Sequence, residues 1–186
     1  LQITEFDTVT LDQFNEAMAE LRADDMKGLI LDLRSNPGGD LSVVVEIARR
    51  LLPAGLITYT EVPSGQRTEY TCDGEYEIDI PMVVLINGYS ASAAEILAGA
   101  IQDHNKGTIV GTTSYGKGIV QRLITLEDGS AVKLTVSGWF TPDGNNIQGS
   151  GIEPDVEAEY DTDLAETEGL DSQVEKGIEI LKEKIG

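Results

Sequence analysis

The sequence predicts an α/β fold built on a largely parallel sheet, and three observations carry that prediction. Short apolar runs such as "GLILDL", "PMVVLIN" and "TIVGT" have the length and residue types of buried strands. The stretches between them carry apolar residues at helical spacing. Strands that alternate with helices form parallel sheets, because each crossover helix returns the chain to the same end.

Taken in order, Leu1 to Phe6 reads as a short strand. Thr10, with Gln13 three residues on, has capping-box spacing, and Phe14, Met18 and Leu21 then define one face of a helix that runs to about Asp24. "GLILDLRSNPGG" is a buried strand entering a glycine turn, and Leu41, Val44, Val45, Ala48 and Leu52 give the next helix, which Pro53 is expected to stop. Residues 56–80 read as a more polar edge ribbon. "PMVVLIN" leads into an apolar helix ending near Gln102, and "TIVGT" is a further strand. "IVQRLITL" and "AVKLTVSGWF" form a hairpin about Asp128-Gly129. "TPDGNNIQGSGIEPD" is loop, the acidic stretch 157–168 is the linker candidate, and 171–185 forms a charged amphipathic helix.

The chain has 186 residues, enough for one domain with a real core. Its 33 acidic against 13 basic residues give a net charge of −20, which argues against nucleic acid and anionic membrane surfaces as partners. A single cysteine, Cys72, excludes an intrachain disulfide and a thiolate cluster, and a single histidine, His104, excludes His-rich metal sites. The sequence contains no signal peptide or apolar spanning run, and its abrupt strand-like start leads us to expect a targeting segment upstream.

The chemistry centres on "GYSASAAEILAGAIQD". Ser92 and Glu95 fit a capping box, and Ser90 fits a turn. Yet a helix start just after a buried strand is also where a nucleophilic serine gains most, because free N–H groups there stabilise an oxyanion. The G-x-S-x-G elbow pattern is not met, since Ser92 stands where its second glycine belongs. A base decides between capping and catalysis. His104 is excluded, because twelve helical residues place it roughly 18 Å from Ser92. Lys117 in "SYGKGIVQ" is the candidate: its flanking glycines let the backbone approach another segment closely, and an apolar strand follows. A Ser–Lys pair needs no histidine and no metal.

These motifs resemble those of the C-terminal processing peptidases, also called tail-specific proteases. "NGYSASAAEILAGAIQD", "IVGTTSYGKGIVQ", "GLILDLRSNPGG" and "FTPDGNNIQGSGIEPD" occur in that family's order, over roughly residues 1–160. The resemblance implies a ClpP/crotonase-like core of mainly parallel strands with packed helices, plus a hairpin and edge ribbon. It implies Ser92 as nucleophile, Lys117 as general base and Gln121 as the residue orienting that base. It implies the N–H groups of Ala93 and of a glycine in Asn36-Pro37-Gly38-Gly39, foremost Gly38, as oxyanion donors. Asp103 matches an acidic position of the family, but roughly 16 Å along a helix it cannot touch Ser92, so capping or loop bracing is expected of it. Lys117 and Gln121 would start roughly 13 Å apart on an extended strand, so their contact requires a turn or bulge near Gly118.

The implied activity is serine endopeptidase cleavage near apolar C-terminal tails through an acyl-enzyme, with protein or peptide substrates and no metal or cofactor. The domain division that follows is a catalytic core over 1–160, then an acidic linker and C-terminal helix over 161–186. The family's PDZ domain and membrane anchor or export segment lie outside the sequence; an extracytoplasmic setting is implied, and the oligomeric state stays open. Two other functions compete: a non-catalytic peptide-binding module on the same fold, and a crotonase-type acyl-CoA enzyme, which also uses a Gly-Gly loop and a helix N–H.

Overall fold

The computed structural model describes residues 1–186, and the expected alternation of strand and helix holds through the first half of the chain. Helix α1 (Thr10–Ala23) leads to strand β1 (Leu29–Asp32), helix α2 (Leu41–Ala48), strands β2 (Gly55–Glu61), β3 (Arg67–Cys72) and β4 (Met82–Ile86), helix α3 (Ala93–Asp103) and strand β5 (Thr108–Gly111). The second half adds β6 (Ile119–Thr125), β7 (Ala131–Phe140), the short β8 (Val156–Glu157), α4 (Thr162–Glu168) and α5 (Ser172–Ile185).

The fold class is the predicted one: a parallel sheet with helices packed on it. Its order is β1-β4-β5-β8, with every pair parallel. All five residues of β4 are buried, as befits a strand covered on both faces. Alternation divides them. Met82, Val84 and Ile86 join the main core with α1, α2 and α3, whereas Val83 and Leu85 face a second cluster that holds Leu181 of α5. The edge ribbon and the hairpin expected from sequence are not separate. β2 pairs with β7, so the four strands form one antiparallel sheet in the order β3-β2-β7-β6.

Leu1–Phe6 forms no strand, only isolated bridges from Gln2 to Asp32 and from Phe6 to Gly39, and local signals misled at three further points. Thr10 is the first helical residue of α1, and Asp7 does the capping. The Asp7 Oδ1 accepts the N–H groups of Val9 at 3.0 Å and Thr10 at 3.1 Å, because a carboxylate so placed reaches two free helix donors at once. Helix α2 ends at Ala48, and a turn separates it from Pro53, so proline follows the stop rather than causing it.

Third, the acidic stretch contains helix α4, capped by Asp161 at 3.0 Å from the Leu164 N–H and ended by Gly169 at φ 70°. Beyond it, α5 lies against the parallel sheet. Gly177 lets the helix come close: a Cβ there would sit 3.2 Å from Val83 and 3.3 Å from Ile30. Gln173, buried, donates to the Ala158 carbonyl at 2.6 Å. The Arg34 guanidinium bridges the two elements, 2.6 Å from Asp32 and 2.8 Å from Asp171. Hydrogen bonding to Asp32 above all, then to Asp171, raises the Arg34 pKa against the opposing effect of burial. No helix is long and apolar enough to cross a membrane.

Because Leu181 is 7% exposed and seals the α5 contact, Leu181→Ala should lower the unfolding free energy by about 2–3 kcal/mol. Urea denaturation measures it; an unchanged midpoint would mean that α5 is tethered to the sheet without packing on it.

Candidate active site

The end of β4 delivers the first site residue. After Ile86 the chain turns through residues 87–91 and enters α3 with Ser92 at its N-cap. Two backbone bonds hold that turn, from Ser90 N–H to Asn87 O at 2.8 Å and from Ala91 N–H to Asn36 O at 2.9 Å. Ser90 is fully buried: its hydroxyl donates to the Leu33 carbonyl at 2.8 Å and accepts the Asn87 N–H at 3.0 Å. Of the two serines, Ser90 is a structural brace and Ser92 is the half-buried one that lines a cavity.

Ser92 sits at φ 56° and ψ −114°, a conformation that side-chain-bearing residues avoid. Such a backbone costs about 1–3 kcal/mol and persists only where its surroundings enforce it. The sequence lacks the glycine pattern of a nucleophile elbow, yet the backbone makes a strained strand–turn–helix corner at this serine. Gly38 permits it. A Cβ on Gly38 would lie 2.8 Å from the Ser92 Cβ and 2.9 Å from the Ala93 nitrogen.

Glu95 supplies the enforcement. Its side chain is fully buried on the first turn of α3. Oε2 accepts the N–H of Ser92 at 2.7 Å and of Lys117 at 3.0 Å; Oε1 accepts the Ser114 hydroxyl at 2.6 Å and the Gly116 N–H at 2.6 Å. The Ser114 hydroxyl in turn accepts the Ile152 N–H at 2.7 Å, so its proton is directed at Glu95. All four partners are donors, the complement of a carboxylate.

That cluster ties the backbone of Lys117 to the start of α3. Gly116, at φ 85°, packs its backbone against residues 149 and 151, and a Cβ on Gly118 would meet the Gln148 nitrogen at 2.6 Å, so the close approach expected of both glycines is realised. Trp139, 1% exposed on β7, donates its indole N–H to the Lys117 carbonyl at 2.8 Å. Ser92, Ala93, Lys117, Gln121 and Gly39 then line one cavity of about 240 Å³, walled by Leu41, Ile96, Ile119, Val120 and Trp139. The β6–β7 register shifts between Val120 and Gln121, where β7 carries the extra residue, Val136, and Lys117 and Gln121 both line this cavity. The irregularity lies two residues beyond Gly118, where it was expected. No direct hydrogen bond joins the Ser92 hydroxyl to the Lys117 amine, nor Lys117 to Gln121.

Two N–H groups at the cavity have no protein partner. Ala93, first residue of α3, has none by helix geometry. Gly38, the expected second donor, is engaged: its N–H goes to Asn36 Oδ1 at 2.8 Å. The neighbouring Gly39 N–H is the unpartnered one. The Gly38 carbonyl accepts the Phe6 N–H at 2.9 Å, and in a trans peptide the Gly39 N–H points the opposite way, away from Phe6.

The remaining sequence candidates lie elsewhere. His104 is the C-cap of α3, its Nε2 2.7 Å from the Leu56 carbonyl. Asp103 braces a loop, accepting the Asp143 N–H at 2.8 Å. Sequence reasoning missed Trp139, and it read Glu95 only as a capping partner.

The model of peptidase family S41 matches residues 1–158. The carboxyl-terminal-processing protease of Synechocystis sp. is 41% identical over 155 residues, covering 83% of this chain and 36% of that protein. The carboxy-terminal processing protease CtpA of Bacillus subtilis is 38% identical over 173 residues, covering 92% and 37% respectively. Among solved structures, a photosystem II D1 C-terminal processing protease aligns with a TM-score of 0.82 at 35% identity, over 97% of this chain and 45% of that one. The chain thus spans less than half the length of these relatives.

Two outcomes follow from the geometry. Ser92→Gly relieves the positive φ, so it should be about 1 kcal/mol more stable than Ser92→Ala, even allowing for the entropy of glycine; equal urea midpoints would mean that the corner is unstrained. Glu95→Gln offers a carboxamide NH₂ to buried donors, and should lose about 2–4 kcal/mol. A loss under about 1 kcal/mol would show that the four bonds are replaceable.

Proposed function

The chain belongs to peptidase family S41, and from that membership we propose that it is the catalytic core of a serine endopeptidase working through a Ser92–Lys117 dyad. The observation that carries the proposal is the shared cavity, in which Ser92, Lys117 and the unpartnered Ala93 and Gly39 N–H groups meet at a strained helix start.

In this scheme neutral Lys117 takes the Ser92 proton as the oxygen attacks the scissile carbonyl, and Gln121 orients the amine. The two N–H groups stabilise the oxyanion, an effect worth about 3–4 kcal/mol per donor in comparable sites. Protonated Lys117 then gives its proton to the leaving amine, and water repeats the cycle on the acyl-enzyme. The donor from the glycine loop is Gly39 in place of Gly38, because the Gly38 N–H is already held by Asn36.

The apolar cavity wall supports substrates that place an apolar side chain beside the cleaved bond. The names of the relatives support proteins cleaved near their C-termini, and processing of apolar tails outside the cytoplasm is the proposal we carry to the whole protein. The length of the relatives beyond the match leaves room for a PDZ domain that would capture those tails. A binding module on the same fold remains the second reading, favoured by the missing hydrogen bond between Ser92 and Lys117.

Proteolysis of an unfolded protein with an apolar C-terminus, with a fluorophosphonate adduct mapped by mass, tests the dyad. Lys117→Ala should lose about 10²–10⁴-fold in turnover with the fold intact, and Ser92→Ala should take no adduct. Ser90→Ala should keep the adduct while losing about 1–3 kcal/mol of stability, since it leaves the Asn87 N–H without a partner and the Leu33 carbonyl with only the Asn36 N–H. Full turnover by Lys117→Ala would sink the dyad.

A further inference from the structure

Asn36 joins the two loops that carry the free N–H groups. It is fully buried, and its side chain and backbone reach three separate segments. The Nδ2 group donates to the Ile3 carbonyl at 2.8 Å. The Oδ1 accepts the Gly38 N–H at 2.8 Å. The Asn36 carbonyl accepts the Ala91 N–H at 2.9 Å, one residue before Ser92. Its own N–H donates to the Leu33 carbonyl at 3.2 Å, at the end of β1.

Each bond fixes one side of the cavity. Holding the Gly38 N–H sets the rotation of the glycine loop, and the Phe6 bond to the Gly38 carbonyl then leaves only one direction for the Gly39 N–H. Holding the Ala91 N–H sets the start of the corner at Ser92 and hence the Ala93 N–H two residues on. An oxyanion is stabilised only by donors placed within a few tenths of an ångström of hydrogen-bond distance from its position. One residue thus sets the separation of both donors. The tie to Ile3 anchors that residue to the N-terminal segment, so the loop cannot shift as a body.

We propose that Asn36 is the positioning residue of the oxyanion hole, acting through Gly39 on one side and Ala91 on the other. The proposal rests on the peptidase reading and adds to it which side chain sets the donors. Serine at this position can still accept the Gly38 N–H in a tight turn but cannot reach Ile3. Alanine can do neither. The two variants therefore separate positioning from anchoring, because both lose the Ile3 bond and only one loses the turn.

The test follows turnover of a peptide 4-nitrophenyl ester by the full chain, with the endpoint of fluorophosphonate labelling at Ser92 giving the folded, active fraction. Per active site, Asn36→Ala should lose about 10²–10³-fold in kcat, as when an oxyanion donor is removed, with KM within about threefold. Asn36→Ser should recover at least about tenfold of that loss, and in thermal melting both variants should be destabilised by loss of the Ile3 bond, alanine further by loss of the Gly38 bond. If the two variants keep the parent's kcat per active site and lose only labelled fraction, Asn36 is structural and the proposal falls while the dyad stands. If the parent itself neither takes the label nor turns over the ester, the peptidase reading falls and takes this inference with it.

Discussion

Everything at the cavity depends on one buried carboxylate. Glu95 accepts four hydrogen bonds, one from the backbone of Ser92 and three from the segment that carries Lys117. Burying a carboxylate is costly, and charge-assisted bonds offset that cost only when its lone pairs are filled with good geometry. Its place in the first turn of α3 adds the favourable end of the helix dipole. The result is a rigid joint between a helix that starts on the parallel sheet and a strand that starts the antiparallel one. A flexible joint could not hold Ser92 in a strained conformation while keeping Lys117 on the same cavity.

The joint also explains where the cavity lies. Ser92, Ala93 and Gly39 come from the loops that follow β4 and β1, whereas Lys117, Gln121 and Trp139 come from β6, β7 and the segment before them. Neither sheet alone has the groups that the chemistry needs. Trp139 crosses the seam: its ring is buried and its N–H holds the Lys117 carbonyl, so the lysine's backbone is fixed from both sides. The stack of Tyr59 on Phe140, with centroids 4.8 Å apart, fastens β2 to β7 beside it.

How much of this was legible follows from how local each signal is. The strands of the parallel sheet could be read because burial on both faces demands continuous apolar runs. The Ser92–Glu95 spacing could be read because a capping box spans three residues. The other donors to Glu95 are 19 to 22 residues away, so no spacing rule reaches them. Gly38 and Gly39 are identical in sequence terms. Which N–H is free depends on Phe6 and Asn36, one of them a partner from over thirty residues earlier. Likewise, the joining of ribbon and hairpin required the pairing of Thr60 with Trp139, which composition does not encode. Docking of α5 was illegible for the same reason: Gly177 matters only because Val83 and Ile30 happen to lie beneath it.

The charge of the chain gains meaning only at the cavity. Of the residues lining it, Lys117 and Lys133 are cationic and none is acidic, although the chain carries 33 acids against 13 bases. A carboxylate there would oppose negative charge developing on a carbonyl oxygen, and at short range in a partly desolvated site that opposition would be large. The one acid close by, Glu95, has both oxygens committed to protein donors and lies behind the backbone it braces. The acids away from the cavity lie mostly at the surface, where solvent and salt screen them. The cavity keeps lysine and bare N–H groups, and the strained turn at Ser92 sets the oxygen among them.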